Sequence, residues 1–342
     1  MGQICSGELL GCFAIDGELI GIEPLKSGHI NRSFVSTWRD GTSQKRYVHQ
    51  AVNSFVFPDV PLVISNIRKV TEFLRPRLAK GRRTLKLVPA RSGDLYARDR
   101  DGQQAYSAGQ AFGEFTYALK ELPYDHLKEP IPQFQYLPGR LESLRACASR
   151  DEYGRVRSAG REIDFALSQT KALGIISEAI ESQAVPIRVT HGDAKFNNIL
   201  FDCDSGRVVC VVDLDTCMPG SILYDFGDLV RSAAISSEED EPDTDKINLE
   251  FSFFEAIARG YLDAWPDLLP AELQFMAQAP RAVALGLGIR FLDDYLSGDK
   301  YFRTDGPDHN LIRARAQFKA ARSMESQQEA MQKLIKRHSS GK

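Results

Sequence analysis

The chain has 342 residues, of which 43% are hydrophobic and 26% charged, a balance typical of a globular protein with enough chain for two domains. Its net charge of −3 gives no bulk attraction to nucleic acid or to anionic membranes. No apolar run is long enough to cross a bilayer, and no CxxC pair or matching histidine spacing predicts a zinc site. We therefore expect a cytoplasmic protein with reduced thiols and with neither nucleic-acid nor membrane partners.

The first hundred residues predict a small sheet and one helix. Strands are expected over residues 20–25, 33–38 and 46–50, separated by a glycine-bearing loop and by the Asp40-Gly41 turn. Apolar residues at helical spacing predict a helix over residues 61–75. A further hairpin is expected over residues 85–98.

Beyond residue 103 the pattern is mostly helical, and we place a domain boundary there, between residues 1–103 and 104–342. The predicted helices span residues 105–121, 136–148, 224–234, 249–265, 270–295 and 310–337, and residues 152–182 are predicted as one long helix or a pair of helices. We expect the acidic segment 238–245 to be a solvated loop. No internal repeat interrupts this pattern.

One predicted hairpin, from Val189 to Thr216, carries the polar residues that suggest chemistry. A polar loop follows the first strand, and a later strand over residues 208–212 ends on two acidic residues. Asp193, Asn198 and Asp213 therefore lie at strand ends around one hairpin. Carboxylate and amide oxygens placed in this way suit Mg²⁺, a hard ion that prefers oxygen ligands.

The loop also has a known spacing. His191, Asp193, Lys195 and Asn198 fall at the offsets H-x-D-x-K-x-x-N, which are those of the protein-kinase catalytic loop. In that scheme the aspartate accepts the proton of the substrate hydroxyl, and the asparagine holds a metal. Asp213 matches the second metal-holding residue. The hairpin therefore predicts phosphoryl transfer.

With these motifs the chain resembles the aminoglycoside phosphotransferase and choline kinase superfamily, and most closely the N-acetylhexosamine 1-kinases. The matching stretches are GHIN (28–31), YVHQAVN (47–53), AGQAFGEF (108–115), VTHGDAKFNNILFD (189–202), VVDLDTCMPG (211–220), YDFGD (224–228), SSEEDEPD (236–243) and RFLDDYLSGDKYF (290–302). The resemblance implies an α+β, protein-kinase-like bilobal fold with a small β-rich N-lobe and a large helical C-lobe.

The resemblance further implies a kinase that uses ATP and Mg²⁺ to phosphorylate the anomeric hydroxyl of an N-acetylhexosamine, either N-acetylglucosamine or N-acetylgalactosamine. Asp193 would be the catalytic base, and Lys195 would balance charge beside it and beside the phosphate. Asn198 and Asp213 would hold the metal. Asp215 would assist the metal or position the sugar.

Three more residues match positions that line the sugar site in the hexosamine kinases, namely His29, Arg290 and Tyr301. Each also has a purely structural interpretation. His29 would then stabilise its turn, Arg290 would be an ion-pair partner on a helix surface, and Tyr301 would be a core aromatic with its hydroxyl at the surface. In the glycine-bearing loop, Ser27, Gly28 and Asn31 are the candidate nucleotide contacts.

Two departures from the superfamily pattern bear on nucleotide binding. The strand expected to carry a phosphate-binding lysine ends instead in Gln50-Ala51. Lys26, Lys86 and Arg98 remain as candidate cations. The relatives also carry a further hinge strand, so that roughly twenty expected residues are missing around Asp99–Gln104, by the same comparison that gives the resemblance.

These departures leave two other hypotheses open. The protein is a kinase of another small hydroxyl compound, such as choline, homoserine or an aminoglycoside, or it is a pseudokinase that binds a sugar or a nucleotide without catalysis. In every case the expected partner is a small molecule, and the sequence does not give the oligomeric state.

Overall fold

A computed structural model of the chain describes residues 10–25, 32–52, 60–78, 83–91, 95, 102–201 and 207–340. The chain divides into two compact units, Met1–Arg100 and Asp101–Lys342. The first contains a small sheet, and the second is mostly helical. Each unit is described separately below.

The sheet of the first unit has three antiparallel strands in the order β1-β2-β3. They span Glu18–Leu25, Arg32–Asp40 and Ser43–Ala51. The tight turn between β2 and β3 uses Gly41 at φ 59°, a left-handed conformation that glycine adopts without steric cost. Gln50, near the end of β3, pairs with Ser33 of β2 and is exposed.

A small core supports one face of the sheet. It is formed by Leu10, Ile15 and Trp38, all at least nine-tenths buried. Arg91 ties the neighbouring segments together by donating hydrogen bonds to the carbonyls of Gly11 and Ile15, both at 3.1 Å.

The hairpin predicted over residues 85–98 is wrong in its first half. Residues 83–89 have no regular secondary structure, and Ala90 forms only an isolated bridge with Phe13. Residues 96–98 lie outside the described residues. The apolar residues of this segment therefore pack against the small core without forming a strand, as Val88 does.

Helix α1, Val60–Leu74, lies where helical spacing predicts it. Its apolar face is largely uncovered, since Val70 is 57% exposed and Phe73 60%. Thr71 is the one buried residue of this helix. Spacing shows that residues share a face, but it does not show that another element covers that face.

The helices of the second unit follow the predicted order. They are α2 (Gly102–Ala118), α3 (Leu137–Arg150), α4 (Gly160–Ser168), α5 (Thr170–Glu181), α6 (Ile222–Ala233), α7 (Phe251–Ala264), α8 (Pro270–Phe275), α9 (Ala279–Leu296) and α10 (His309–Ser340). The segment predicted as one helix over residues 270–295 is divided between α8 and α9. Within the described ranges, no helix combines the length and the hydropathy that crossing a bilayer requires.

Close approach of α2 and α7 forms the centre of this unit. A Cβ on Gly109 would lie 2.1 Å from the carbonyl oxygen of Ile257, and one on Gly260 would lie 2.0 Å from that of Tyr106. The crossing therefore requires glycine at both positions. It allows Phe112 of α2 to be buried completely, which stabilises the fold by about 2–3 kcal/mol for a side chain of this size.

Two short antiparallel pairs complete the unit. β4 (Arg188–Thr190) pairs with β7 (Met218–Gly220), and β5 (Ile199–Phe201) pairs with β6 (Val208–Val211). The hairpin prediction is thus confirmed, and residues 218–220, directly after the predicted hairpin, form a further strand. The predicted α+β fold, with a small sheet at the amino terminus and a helical remainder, is confirmed.

Candidate active site

The polar loop begins directly after β4 and ends where β5 begins. A short 3₁₀ turn over Phe196–Asn198 brings the chain into β5. The start of the loop is fixed because the Thr190 hydroxyl donates to the carbonyl of Met218 at 3.0 Å, across the β4–β7 pair. Residues 191–198 are therefore held at both ends by strands.

Asp193 is held through one of its two carboxylate oxygens. Lys195 Nζ donates to Oδ2 at 2.7 Å, and Asn198 Nδ2 donates to the same oxygen at 3.1 Å and to the backbone carbonyl of Asp193 at 2.8 Å. Within the described residues, Oδ1 accepts no hydrogen bond. Because the side chain is 30% exposed, this second oxygen is free to meet a substrate.

Lys195 lies in a strongly negative environment. Burial alone lowers the pKa of Lys195, but the hydrogen bond to Asp193 and the charges of Asp193, Asp228 and Asp213 outweigh it. The pKa of Lys195 is therefore above its ordinary value. The lysine stays positively charged at neutral pH and neutralises part of the carboxylate charge around it.

His191 is a structural member of the loop. Its Nε2 lies 2.9 Å from the carbonyl oxygen of Val212, and its Nδ1 accepts from the N–H of Asp193 at 3.3 Å. Nε2 therefore carries the proton and donates it. With both ring nitrogens in use and the residue fully buried, His191 orients the Asp193 backbone.

Asp225 supports the same loop from α6. Its carboxylate accepts the backbone N–H groups of His191 at 2.7 Å and of Gly192 at 2.9 Å. Burial raises the pKa of Asp225 to about 6, although these two N–H groups oppose the rise. Ser221, and not Asp225, caps α6, because the Ser221 side chain accepts a hydrogen bond from Leu223 N.

Gly192 is required by the loop geometry. Its φ is 84°, and a Cβ there would lie 2.3 Å from the carbonyl oxygen of Thr216. In the same contact the Thr216 hydroxyl donates to the carbonyl of His191 at 3.0 Å. The turn that carries Asp215, Leu214–Thr216, is thereby brought against the catalytic loop. Asp215 itself is exposed.

Asn198 and Asp213 present oxygen ligands on neighbouring strand ends. The backbone N–H of Val212 donates to the carbonyl of Asn198 at 2.9 Å, which places Asp213 one residue from that contact. Because Nδ2 of Asn198 is used to hold Asp193, its Oδ1 is the atom left for a ligand. Asp213 lies in the left-handed region at φ 65° and is exposed.

These two residues fit Mg²⁺ that is shared with a phosphate. In the described part of the chain, no cluster of three His, Cys, Asp or Glu side chains forms an all-protein metal site. Mg²⁺ is usually bound through one or two protein oxygens together with phosphate and water. Asn198 and Asp213 supply that number and that kind of ligand.

Arg290 and Tyr301 meet at one cavity of about 310 Å³ in the second unit. We call it the Arg290 cavity and define it by Phe134, Arg140, Arg290, Tyr301 and Phe302. Arg290 NH2 donates to the Tyr301 hydroxyl at 3.4 Å. Neither structural alternative describes these residues, because Tyr301 is 65% exposed and Arg290 forms no ion pair among the described residues.

Gln135 links this cavity to the catalytic loop. Its Nε2 donates to the Thr190 hydroxyl at 3.2 Å, and its Oε1 accepts from Ser221 N at 3.3 Å. The preceding residue, Phe134, faces Arg290 with 5.1 Å between the guanidinium carbon and the ring centroid. The side chain of Gln135 therefore connects the segment that forms the cavity wall to the last residue of β4, directly before the loop.

Not every predicted site residue is placed. Ser27, Gly28, His29 and Asn31 lie outside the described residues, as do Lys26, Arg98 and residues 99–101 of the short link. Helix α2 begins immediately afterwards, at Gly102. Among the candidate phosphate cations, Lys86 is described and is exposed in an irregular segment.

Sequence reasoning missed Gln135, Phe134 and Arg140. Phe134 and Gln135 lie in the segment between α2 and α3, Arg140 lies in the first turns of α3, and no known motif marks any of them. Asp225 was visible through the YDFGD stretch, but its loop contacts depend on β4 and α6 lying side by side.

The comparison with protein families decides the family. The model of the phosphotransferase enzyme family, APH, matches residues 21–271 and so includes the whole catalytic loop. The chain belongs to this family. The matched region contains Asp193, Asn198 and Asp213.

Among solved structures, the chain is similar to choline kinase from Cryptosporidium parvum Iowa II. The two share 12% sequence identity, the match covers 92% of this chain and 91% of that chain, and the TM-score is 0.44. It is also similar to a putative aminoglycoside phosphotransferase from Ralstonia eutropha JMP134, with 14% identity, coverage of 94% and 98%, and a TM-score of 0.41. A third is spectinomycin phosphotransferase in complex with ADP and spectinomycin, with 9% identity, coverage of 92% and 94%, and a TM-score of 0.37.

Proposed function

We propose that the protein transfers a phosphoryl group from ATP, with Mg²⁺, to the anomeric hydroxyl of an N-acetylhexosamine. The observation that carries the phosphotransfer part is Asp193, whose Oδ2 is held by Lys195 and Asn198 while Oδ1 is free. The sugar part is supported by the RFLDDYLSGDKYF resemblance and by Arg290 and Tyr301 lining the same cavity.

In this reaction the acceptor hydroxyl gives its proton to Oδ1 of Asp193. The hydroxyl oxygen forms a bond to the γ-phosphorus of ATP, and the bond between that phosphorus and the bridging oxygen breaks, so that ADP leaves with the electron pair. Phosphoryl transfer asks the protein mainly to position groups and to neutralise charge. Lys195 does both, because it fixes Oδ2 and carries a positive charge.

When bound, Mg²⁺ supplies neutralisation of the phosphate charge. Asn198 Oδ1 and the Asp213 carboxylate are the residues that would hold it. Asp215, exposed on the adjoining turn, is proposed to assist the metal or to position the acceptor.

We propose a separate role for each of the two domains. Residues 1–103 would bind the nucleotide, with Ser27, Gly28 and Asn31 as contacts, and residues 104–342 would carry the catalytic loop and the acceptor site. His29 is proposed to bind the acceptor.

The test uses the full chain with ATP, Mg²⁺ and either N-acetylglucosamine or N-acetylgalactosamine. Phosphorus NMR should show a sugar 1-phosphate, and Asp193→Asn should lower the rate by about 10²–10⁴-fold, the usual contribution of a general base. Turnover of choline, homoserine or an aminoglycoside in place of both sugars would support the sibling-kinase alternative and reject the sugar assignment.

A non-catalytic protein is the second candidate, and Gln50 favours it. An exposed glutamine stands on β3, where the superfamily carries the phosphate-binding lysine. Calorimetric titration with ATP and Mg²⁺ separates the two hypotheses. Sugar binding without any nucleotide binding would reject the kinase and leave a sugar-binding protein.

A further inference from the structure

Positive charge is concentrated on one stretch of the first unit, although the whole chain has a net charge of −3. Residues 68–78 and 83–86 contain one acidic residue, Glu72, together with six basic residues, namely Arg68, Lys69, Arg75, Arg77, Arg83 and Lys86. All six are exposed, and none of them forms an ion pair with another described residue. Because these charges are not neutralised within the described protein, this stretch attracts anions from outside it.

Helix α1 places exposed apolar side chains beside these cations. Val70, Phe73 and Leu74 lie on one face, since residues three and four apart are neighbours on a helix, and their exposed fractions are 57%, 60% and 38%. Leu62, three turns before Phe73 on the same face, is 54% exposed. Single apolar residues are ordinary on a surface, but a strip of them marks an interaction site.

Cations lie directly against this apolar strip. Lys69 precedes Val70, and Arg77 follows in the 3₁₀ turn that continues the helix. The guanidinium carbon of Arg77 is 3.7 Å from the ring centroid of Phe73, and its NH1 donates to the Phe73 carbonyl at 2.8 Å. A positive charge is thereby held over an exposed ring. We call this set the α1 surface and define it by Leu62, Lys69, Val70, Phe73, Leu74 and Arg77.

The α1 surface fits a partner that offers anions and an apolar phase together. An anionic bilayer does so, because its headgroups carry the negative charge and its acyl chains begin directly beneath them. A nucleic acid would pair with the cations but would leave Val70 and Leu74 in water. A second copy of the chain would cover these apolar side chains but would bring like charges together.

We propose that the α1 surface binds an anionic lipid bilayer, with the helix lying in the plane of the interface. Val70, Phe73 and Leu74 enter the headgroup region, and the basic side chains contact lipid phosphate and carboxylate groups. The expectation of no membrane partner rested on the net charge of the whole chain, which averages over this uneven distribution. The α1 surface shares no residue with the catalytic loop or the Arg290 cavity, so its role is independent of the proposed activity.

The test uses the full chain and two sets of unilamellar vesicles. One set is pure phosphatidylcholine, in the other roughly one lipid in three is phosphatidylserine, and bound protein is measured by sedimentation. Each Lys or Arg close to an anionic surface strengthens binding about fivefold. With at least two cations engaged, partition onto the anionic vesicles should exceed that onto the neutral ones by about 25-fold or more. It should weaken steeply as salt is added.

A double substitution tests whether the position of the charge matters. Lys69→Gln with Arg77→Gln should lower the affinity for the anionic vesicles by about 25-fold. Arg145→Gln with Lys171→Gln is the matched control, because both residues are exposed on helices of the second unit and neither forms an ion pair with a described residue. The control removes the same charge from the chain and should keep its affinity within about twofold. Equal losses would contradict a specific α1 surface.

An uncharged substitution separates a bilayer from the other partners. Val70→Ser should lower the affinity for the anionic vesicles by about threefold or more, since the valine loses its apolar contact. Val209→Ser on β6 is the matched control, because Val209 is 67% exposed, and its affinity should stay within about twofold. Binding to duplex DNA would not depend on Val70.

Three results would overturn the inference. The first is no vesicle binding, or equal binding to the neutral and the anionic vesicles. The second is binding to duplex DNA without binding to vesicles, which would assign the surface to nucleic acid. The third is self-association in analytical ultracentrifugation that Val70→Ser abolishes, again without vesicle binding, which would assign it to a second copy. Should a variant fail to fold, the native protein on the two vesicle sets at low and high salt decides.

Discussion

The catalytic loop and the Arg290 cavity belong to the same helical unit, but they differ in how fully their polar groups are paired with one another. Around the loop nearly every polar group bonds another: Asp225 accepts two backbone N–H groups, His191 uses both ring nitrogens, and Lys195 and Asn198 share one oxygen of Asp193. In the cavity, by contrast, Arg140 and Arg290 have no carboxylate partner within the described residues.

The difference suggests that the loop fixes the position of a reacting group, whereas the cavity determines which ligand binds. Mutually satisfied groups fix the position of one free atom, Oδ1 of Asp193, so changes there should alter stability and turnover. Arginines that form no ion pair can donate to a ligand instead, so changes in the cavity should alter which ligand binds. The predictions below test this division.

The largest expected effect is that of Gly192→Ala in the loop. At φ 84° an alanine is strained, and its Cβ would meet the Thr216 carbonyl oxygen at 2.3 Å, so the backbone must move. We expect the free energy of unfolding, measured by urea denaturation, to fall by about 3 kcal/mol or more.

Gly154→Ala is the matched control. Gly154 has a similar φ of 66° but nothing within 4 Å of the added Cβ. It should cost about 1 kcal/mol, which is the conformational strain alone. Equal losses at the two positions would show that the loop is not tightly packed against Thr216.

The second prediction concerns pH and Asp225. Its pKa of about 6 in the folded protein exceeds its ordinary value of 3.8, so the native state binds more protons than the unfolded state between these two values. The free energy of unfolding contributed by Asp225 should therefore fall as the pH rises from about 4 to about 6. The two values differ by about 2 units, which sets the loss at up to about 3 kcal/mol.

Asp225→Asn provides the reference, because the amide does not titrate. Relative to this variant, the native protein should lose free energy of unfolding as the pH rises across that window. Above the window the difference between the two proteins should stay constant. Parallel pH curves for the two proteins would contradict the raised pKa.

The third prediction is Lys195→Met, which removes the donor that holds Asp193 Oδ2 at 2.7 Å. A hydrogen bond to a charged group contributes about 1.5–3 kcal/mol, so kcat should fall by about 10- to 100-fold. The KM for the acceptor should change little, since Lys195 fixes the base and lies outside the Arg290 cavity.

Lys333→Met is the matched control, because it removes a lysine from an exposed ion pair, that of Lys333 with Glu329 on α10. Exposed pairs contribute little, so kcat should stay within about twofold of the native value. A comparable loss in both variants would remove the special role of Lys195.

How much of this was predictable differs between the two regions. Asp193, Lys195, Asn198 and Asp213 were visible in the sequence, because the loop is one continuous segment whose spacing is set by strand ends. Its support by Asp225 was less visible, because two hydrogen bonds to backbone atoms leave no pattern in the side chains.

The cavity could be predicted only in part. Arg290 and Tyr301 were found by resemblance, but Phe134 and Arg140 lie about 150 residues earlier and meet them only through folding. Helix α1 shows the same limit, since its spacing predicted the helix and not the exposure of Val70. Local periodicity predicts elements, whereas contacts between distant segments depend on tertiary packing.

The smallest expected effect is that of Tyr301→Phe in the cavity. The hydroxyl accepts one long hydrogen bond from Arg290, at 3.4 Å, and the side chain is 65% exposed. Removing it should change the affinity for N-acetylglucosamine, measured by calorimetric titration, by no more than about threefold, because the bond is long and its acceptor is exposed to water.

The ring matters more than the hydroxyl in this interpretation. Tyr301→Ala removes a face that lies 5.5 Å from the Arg290 guanidinium, so the arginine loses part of the surface that orients it. Its effect on the N-acetylglucosamine affinity, measured by the same calorimetric titration, should exceed that of Tyr301→Phe. If instead Tyr301→Phe alone abolishes binding, the hydroxyl contacts the ligand directly, and the cavity resembles the catalytic loop in depending on one positioned polar atom.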